Sequence, residues 1–218
     1  MLVFGKNVLY EQDISKIRKV YISKKDYIPY LKENNIKYDF VDNFRLDKLV
    51  NGNHQGIVID IHDYEYYNYN DIKGDLVLML DHLSDPHNFG SIIRTAAAAG
   101  VKEIIIPKDR SVRVNDTVIK VSSGTISKIK VVMVTNLVNT IKKLKDDDYF
   151  IYGADMDGKN YKDIDYSTKK VLVLGNEEKG ISRLVKENVD ELVSIKMENN
   201  VESLNVGVSA GIILFEMR

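Results

Sequence analysis

From Asp75 onward the sequence alternates short apolar runs with longer amphipathic stretches, and no other feature restricts the possible folds so strongly. LVLML, EIIIP, KVVMV, YFIYGAD, KVLVL and ELVSIKM are strand-sized. Between most of them lie segments with apolar residues at helical spacing: Gly90 to Ala99, Asp116 to Ser123, LVNTIKKLK, ISRLVKEN and finally Val206 to Met217. Strands separated by helices require right-handed crossovers, so an α/β unit is expected, with a mostly parallel sheet and helices on both faces. In such sheets ligands bind beyond the carboxyl ends of the strands. The search for function therefore starts at those loops.

The first part of the chain alternates over shorter lengths. A helix near Asn7 to Gln12 is followed by strand KVYIS, helix DYIPYLKENN, strand KYDFV, helix FRLDKLVN and strand GIVIDI, a small α/β unit of its own. The tyrosine-rich stretch HDYEYYNYNDIKGD has no periodicity and reads as a linker around Tyr64 to Lys73. Its tyrosines can stack on bases or pack on a neighbouring surface.

With no cysteine, disulfides and thiolate metal sites are excluded, and the four histidines show no ligand spacing. No apolar run approaches the roughly 20 residues of a membrane span, and no secretory signal opens the chain, so a cytoplasmic protein is expected. The net charge of -1 argues weakly against a nucleic-acid partner, but its distribution is uneven. Val101 to Lys130 holds seven Lys or Arg against three acidic residues, whereas Asp146 to Ser203 is acidic. Both a phosphate-binding face and an unevenly charged solvated surface fit that pattern.

Three candidate strand-end loops are rich in polar residues and glycine. In DHLSDPHNFGSIIRTAAAAGV a helix starting near Gly90 leaves backbone N–H groups free, so Asn88 is expected to cap it and Arg94 to project from the next turn. A surface ion pair is the alternative for Arg94, and tight packing accounts for the alanines. In VLVLGNEEKGIS, Gly175 and Gly180 permit close backbone approach; Glu177 can hold a base, a ribose or an arginine, or with Glu178 favour a following helix start. In IKMENNVESLNVGVSAGIILFE, Ser203 and Asn205 are expected as helix caps, and Gly207, Ser209, Ala210 and Gly211 suggest a closely approached neighbour.

Taken in order, DPHNFGSIIRTAAAAG, LVLGNEEKGIS and IKMENNVESLNVGVSAGIILFE resemble the three motifs of the SpoU/TrmH family of RNA ribose 2'-O-methyltransferases. PKDRSVRVNDTVIKVSSG and VTNLVNTIKKL are similar to the stretches between motifs in the members that methylate a guanosine of bacterial 23S rRNA. HQGIVIDI and FGKNVLYE resemble the small ribosomal-protein-like domain of the same enzymes. The resemblance implies an RNA substrate-binding domain over residues 1–66, a linker over 67–73 and a methyltransferase domain of the SPOUT class over 74–218. That domain would have a Rossmann-like sheet with a trefoil knot, in a homodimer whose active site lies near the subunit interface.

The implied methyl donor is S-adenosylmethionine, with no metal. Gly175, Ile195 and Leu204 match the family's donor contacts, with Asn176 and Met197 adjacent; Asn88, Arg94, Glu177, Ser203 and Asn205 match its functional polar set. Lys108, Arg110 and Arg113 are candidates for holding RNA phosphates. The implied partner is RNA, 23S rRNA first, rather than DNA, because only RNA carries the 2'-hydroxyl. A tRNA 2'-O-methyltransferase and a non-catalytic RNA-binding ribosome-assembly protein are the alternatives. The chain departs from the family pattern at Glu178, Lys196, Asn199 and Ser127.

Overall fold

A computed structural model describes residues 1–199 and 201–218 as two compact units, one comprising 1–65 with 114–127, the other 66–113 with 128–218. The first unit is a four-stranded mixed sheet. Strand β1 (Leu2–Phe4) pairs antiparallel with β4 (Ile57–Ile61), β4 pairs antiparallel with β2 (Ile17–Ile22), and β2 pairs parallel with β3 (Tyr38–Phe40). Helices α1 (Lys6–Glu11), α2 (Ile28–Glu33) and α3 (Asn43–Leu49) complete it, with α5 (Asp116–Val121) from the later segment. Strand β1, three residues long, has too little alternation to be read from sequence. Residues 114–127 belong to this unit through contacts that no local pattern reveals. Ser127 donates to the Glu11 carbonyl at 2.7 Å, and a Cβ on Gly124 would lie 2.8 Å from that of Glu11.

The second unit is built on six parallel strands: β5 (Leu76–Leu80), β6 (Glu103–Pro107), β7 (Lys130–Val134), β8 (Phe150–Asn160), β9 (Lys170–Leu174) and β10 (Glu191–Ser194). They lie in the order β10-β8-β9-β5-β6-β7, every neighbouring pair parallel. The central strands β5 and β9 are apolar on both faces, as a sheet covered on both sides demands, with Val77, Leu78, Met79, Val171, Leu172 and Val173 all inaccessible to solvent. From β5 the chain goes to β6 and β7 on one side and returns through β8, β9 and β10 on the other. Strands β5 and β9 therefore flank the point where strand order reverses, where a crevice opens beyond the carboxyl ends.

Residues 66–73 are fixed to this second unit rather than running free. Tyr67 exchanges backbone hydrogen bonds with Val131 and Met133, Ile72 is buried, and the Tyr69 hydroxyl donates to Asp147 at 2.7 Å. Burial and that carboxylate raise the Tyr69 pKa above the usual phenol value.

Helix α4 (Pro86–Ala98) starts four residues earlier than the sequence pattern indicates. Pro86 at its first turn has no N–H to leave unpaired, and Asp85, not Asn88, is the cap, accepting from the backbone N–H groups of His87 and Asn88. Phe89, Ile92, Ile93 and Ala96 form its buried stripe, the large side chains contributing about 1.5–3 kcal/mol each. Helix α8 (Val206–Met217) packs along α4. A Cβ on Gly207 would lie 3.3 Å from the Ser91 hydroxyl, and one on Gly211 3.3 Å from the Thr95 methyl. The neighbour that the small residues of α8 admit is thus α4 of the same chain.

Candidate active site

Each of the three polar loops leaves the carboxyl end of a parallel strand. The first follows β5 and enters α4; the second follows β9 and leads to the short helix α7 (Arg183–Lys186); the third follows β10 and enters α8. Side chains tie them together. Asn88, in the first turn of α4, donates through Nδ2 to Glu177 Oε1 at 3.2 Å and accepts from Asn205 Nδ2 at 2.9 Å. These two bonds join residues 89 and 117 positions apart, and through Asn88 they link the third loop to the second.

Glu177 is surrounded by donors. The Asp85 backbone N–H and Asn88 reach Oε1, and the Ser84 hydroxyl and Asn176 Nδ2 reach Oε2, all at 3.2–3.4 Å. Asn176 also donates to the His82 carbonyl at 3.0 Å, and its Oδ1 accepts from the N–H groups of Glu178 and Lys179. The second loop closes on itself by two backbone bonds between Asn176 and Gly180, where φ is +66°. A Cβ on Gly175 would fall 2.0 Å from the Gly180 carbonyl carbon, so only glycine fits there.

Asn205 is the N-cap of α8, accepting from the Gly207 N–H at 2.9 Å; Ser203, also expected as a cap, is exposed two residues earlier and takes no part in it. Arg94 leaves α4 one and a half turns beyond Asn88 and is exposed. Ile195, Met197 and Leu204 are half-buried. Ile195 and Met197 follow the end of β10 and set apolar side chains beside the loop's backbone amide and carbonyl groups. That set fits a nucleoside read by backbone, the chemistry the donor's adenosine requires. Asn200, inside the third loop, lies outside the described residues.

Lys108 and Arg110 are exposed beyond β6. Arg113 is held by its own unit, donating to the Lys108 carbonyl and to the Met133 sulfur and lying over the Tyr66 ring. A cleft of about 820 Å³ opens beyond β5, β6, β7 and β9, lined by Arg110, Asn176, Asp81 and His82 among others. Sequence reasoning missed Asp81 and His82, although the strand end that carries them was visible. No group of residues among those described could hold a metal ion.

Comparison with known proteins extends these observations. The model of RNA 2'-O ribose methyltransferase substrate binding matches residues 2–67. A candidate TrmH family tRNA/rRNA methyltransferase of Bacillus subtilis (strain 168) is 36% identical over 99% of this chain and 94% of its own. Among solved structures, the rRNA methyltransferase of Sinorhizobium meliloti with bound AdoMet covers 100% of this chain and 86% of its own, at 25% identity and a TM-score of 0.85. The TrmH/SpoU tRNA modifying enzyme of A. aeolicus covers 66% of this chain and 74% of its own, at 30% identity and a TM-score of 0.60. The model of the SpoU rRNA methylase family matches residues 75–215, and the chain belongs to that family.

Proposed function

We propose that this RNA methyltransferase transfers a methyl group from S-adenosylmethionine to the ribose 2'-hydroxyl of a guanosine in 23S rRNA, as a cytoplasmic homodimer whose knotted second unit carries the chemistry. The observation that carries the reading is the Asn88–Glu177–Asn205 chain of hydrogen bonds, which draws three sequence-remote loops into one polar cluster at the strand ends. Whole-chain likeness to an rRNA enzyme, against two thirds for a tRNA enzyme, supports the choice of rRNA.

The donor, when bound, supplies an activated methyl on a sulfonium; Gly175, Ile195, Met197 and Leu204 would hold it, with Asn176 beside them. What remains for the protein is to align a poor nucleophile and ease loss of its proton. Arg94 stays charged and stabilises the alkoxide that develops on the ribose, because a guanidinium resists deprotonation. Four donors occupy Glu177, so its part is positioning, with Asn88, Asn205 and Ser203 ordering the ribose. Lys108 and Arg110 hold phosphates, with a contribution that falls as salt rises.

Arg94→Ala tests this directly. Transfer of labelled methyl to ribosomal RNA should fall by about 10²–10³-fold or more with donor affinity by calorimetry little changed. Near-normal turnover would remove Arg94 from the mechanism. Mapping alkali-resistant phosphodiesters in RNA from cells with and without the gene identifies the nucleotide.

A further inference from the structure

The cleft beyond β5, β6, β7 and β9 is distinct from the donor assignment, since Asn176 lines it but Gly175, Ile195, Met197 and Leu204 do not. Leu137, Val138 and Leu184 make part of its wall apolar, and Arg110, Lys179 and Arg183 add three cations beside Asp81, Asp109 and Glu178. Its volume of about 820 Å³ has room for a nucleotide.

A built polar pair stands in the same wall. Asp81 is 1% exposed; its Oδ2 accepts from the Ser182 N–H at 2.6 Å and its Oδ1 bonds His82 Nδ1 at 2.5 Å. A carboxylate accepts, so the Asp81 contact takes up Nδ1 and leaves Nε2 as the ring nitrogen open to another partner. His82 adopts φ +58°, a left-handed conformation in which Asn, Asp and His are enriched among non-glycine residues. Asn176 then connects the cleft to the polar cluster, one amide donating both to the His82 carbonyl and to Glu177.

We propose that this cleft receives the base of the nucleotide whose ribose lies at Asn88 and Glu177. The apolar wall packs on the ring, and His82 Nε2 hydrogen-bonds a polar atom on the base edge. An RNA base that is unstacked from its neighbours needs both an apolar surface and an edge partner, and the cleft offers both within one residue of the cluster. The inference rests on the ribose-methylation reading and adds to it where the base goes.

The test uses the full chain, tritiated S-adenosylmethionine and total RNA from cells lacking the gene, followed by a transcript around the labelled nucleotide carrying either its natural base or an abasic ribose. His82→Asn removes the imidazole while tolerating the left-handed backbone. Leu184→Asp alters the apolar wall at a side chain that is 57% exposed, so the fold is retained. Removing the base should raise the RNA KM about tenfold or more, and each variant should do the same on the natural transcript but add nothing on the abasic one. Donor affinity should stay within about twofold throughout. Variants with unchanged KM on the natural transcript, or with donor affinity lost instead, overturn the cleft assignment while ribose methylation stands. A wild-type chain that labels no RNA and binds no donor overturns both.

Discussion

The two units use the same residue types for opposite ends. In the first, carboxylates cap local turns, as Asp13 and Asp42 do, or pair across neighbouring strands, as Asp60 does with Arg18 and Asp39 with Lys19. In the second, Glu177 is spent on no helix of its own but on side chains and backbone about ninety residues away. Local pairs stabilise an element; long-range ones make a place where ligands can be held. The parallel sheet explains the difference, because it alone brings the ends of strands far apart in sequence to one edge.

Substitutions at five places press on that contrast. Glu177→Ala should cost most, lowering methyl transfer about 10²–10³-fold in a single-turnover assay, since Asn88 and Asn176 lose the acceptor that aligns them. A loss below tenfold would mean that the long-range bonds serve stability alone. Gly175→Ala should come next. The loop must open to admit its Cβ, so donor affinity should fall by tenfold or more in a titration, with RNA affinity retained.

Asn205 separates the two uses of one residue. Asn205→Ala should lower stability by about 0.5–2 kcal/mol as the α8 cap is lost, whereas Asn205→Asp keeps the cap and removes only the donor to Asn88. Denaturant midpoints near wild type for the Asp variant, with transfer impaired, would show the network acting apart from the cap. On the first unit, Arg45→Ala with Lys48→Ala should weaken RNA binding and flatten its salt dependence without touching donor affinity, because both are exposed cations of α3 in the region that matches the substrate-binding model. An unchanged salt slope would take that face out of RNA binding.

Alkaline unfolding gives the smallest effect. The Tyr69 pKa is raised by burial and by Asp147, so the folded state keeps its proton above pH 10, where the unfolded chain releases it. Its contribution is fully present below pH 10 and is lost as pH rises further. Tyr69→Phe should make the melting temperature less sensitive to pH above 10, at a cost near 1 kcal/mol at neutral pH from the lost bond to Asp147.

Much of this was legible in the sequence, for identifiable reasons. The six strands of the second unit announced themselves as apolar runs, and the last helix fell on Val206 to Met217 as its spacing indicated. The start of α4 did not, because Asp85 and Asn88 are both good caps and Pro86 decides between them. Asn88 was visible as a polar residue at a helix mouth, but its partners were not: pairing with Glu177 and Asn205 depends on sheet order, which periodicity does not encode. The same holds for residues 114–127, whose membership in the first unit follows from contacts with Glu11 and β1.

Because Asn205 comes from the segment entering α8, the cluster is complete only once a segment 117 residues beyond Asn88 has been placed against it. A chain cut after Glu202 would still hold all the strands among the described residues, yet Asn88 would lack its donor from the third loop. Cutting the chain before Asn205 would be expected to keep the strands of the sheet and lose the hydrogen bond that joins the third loop to Asn88.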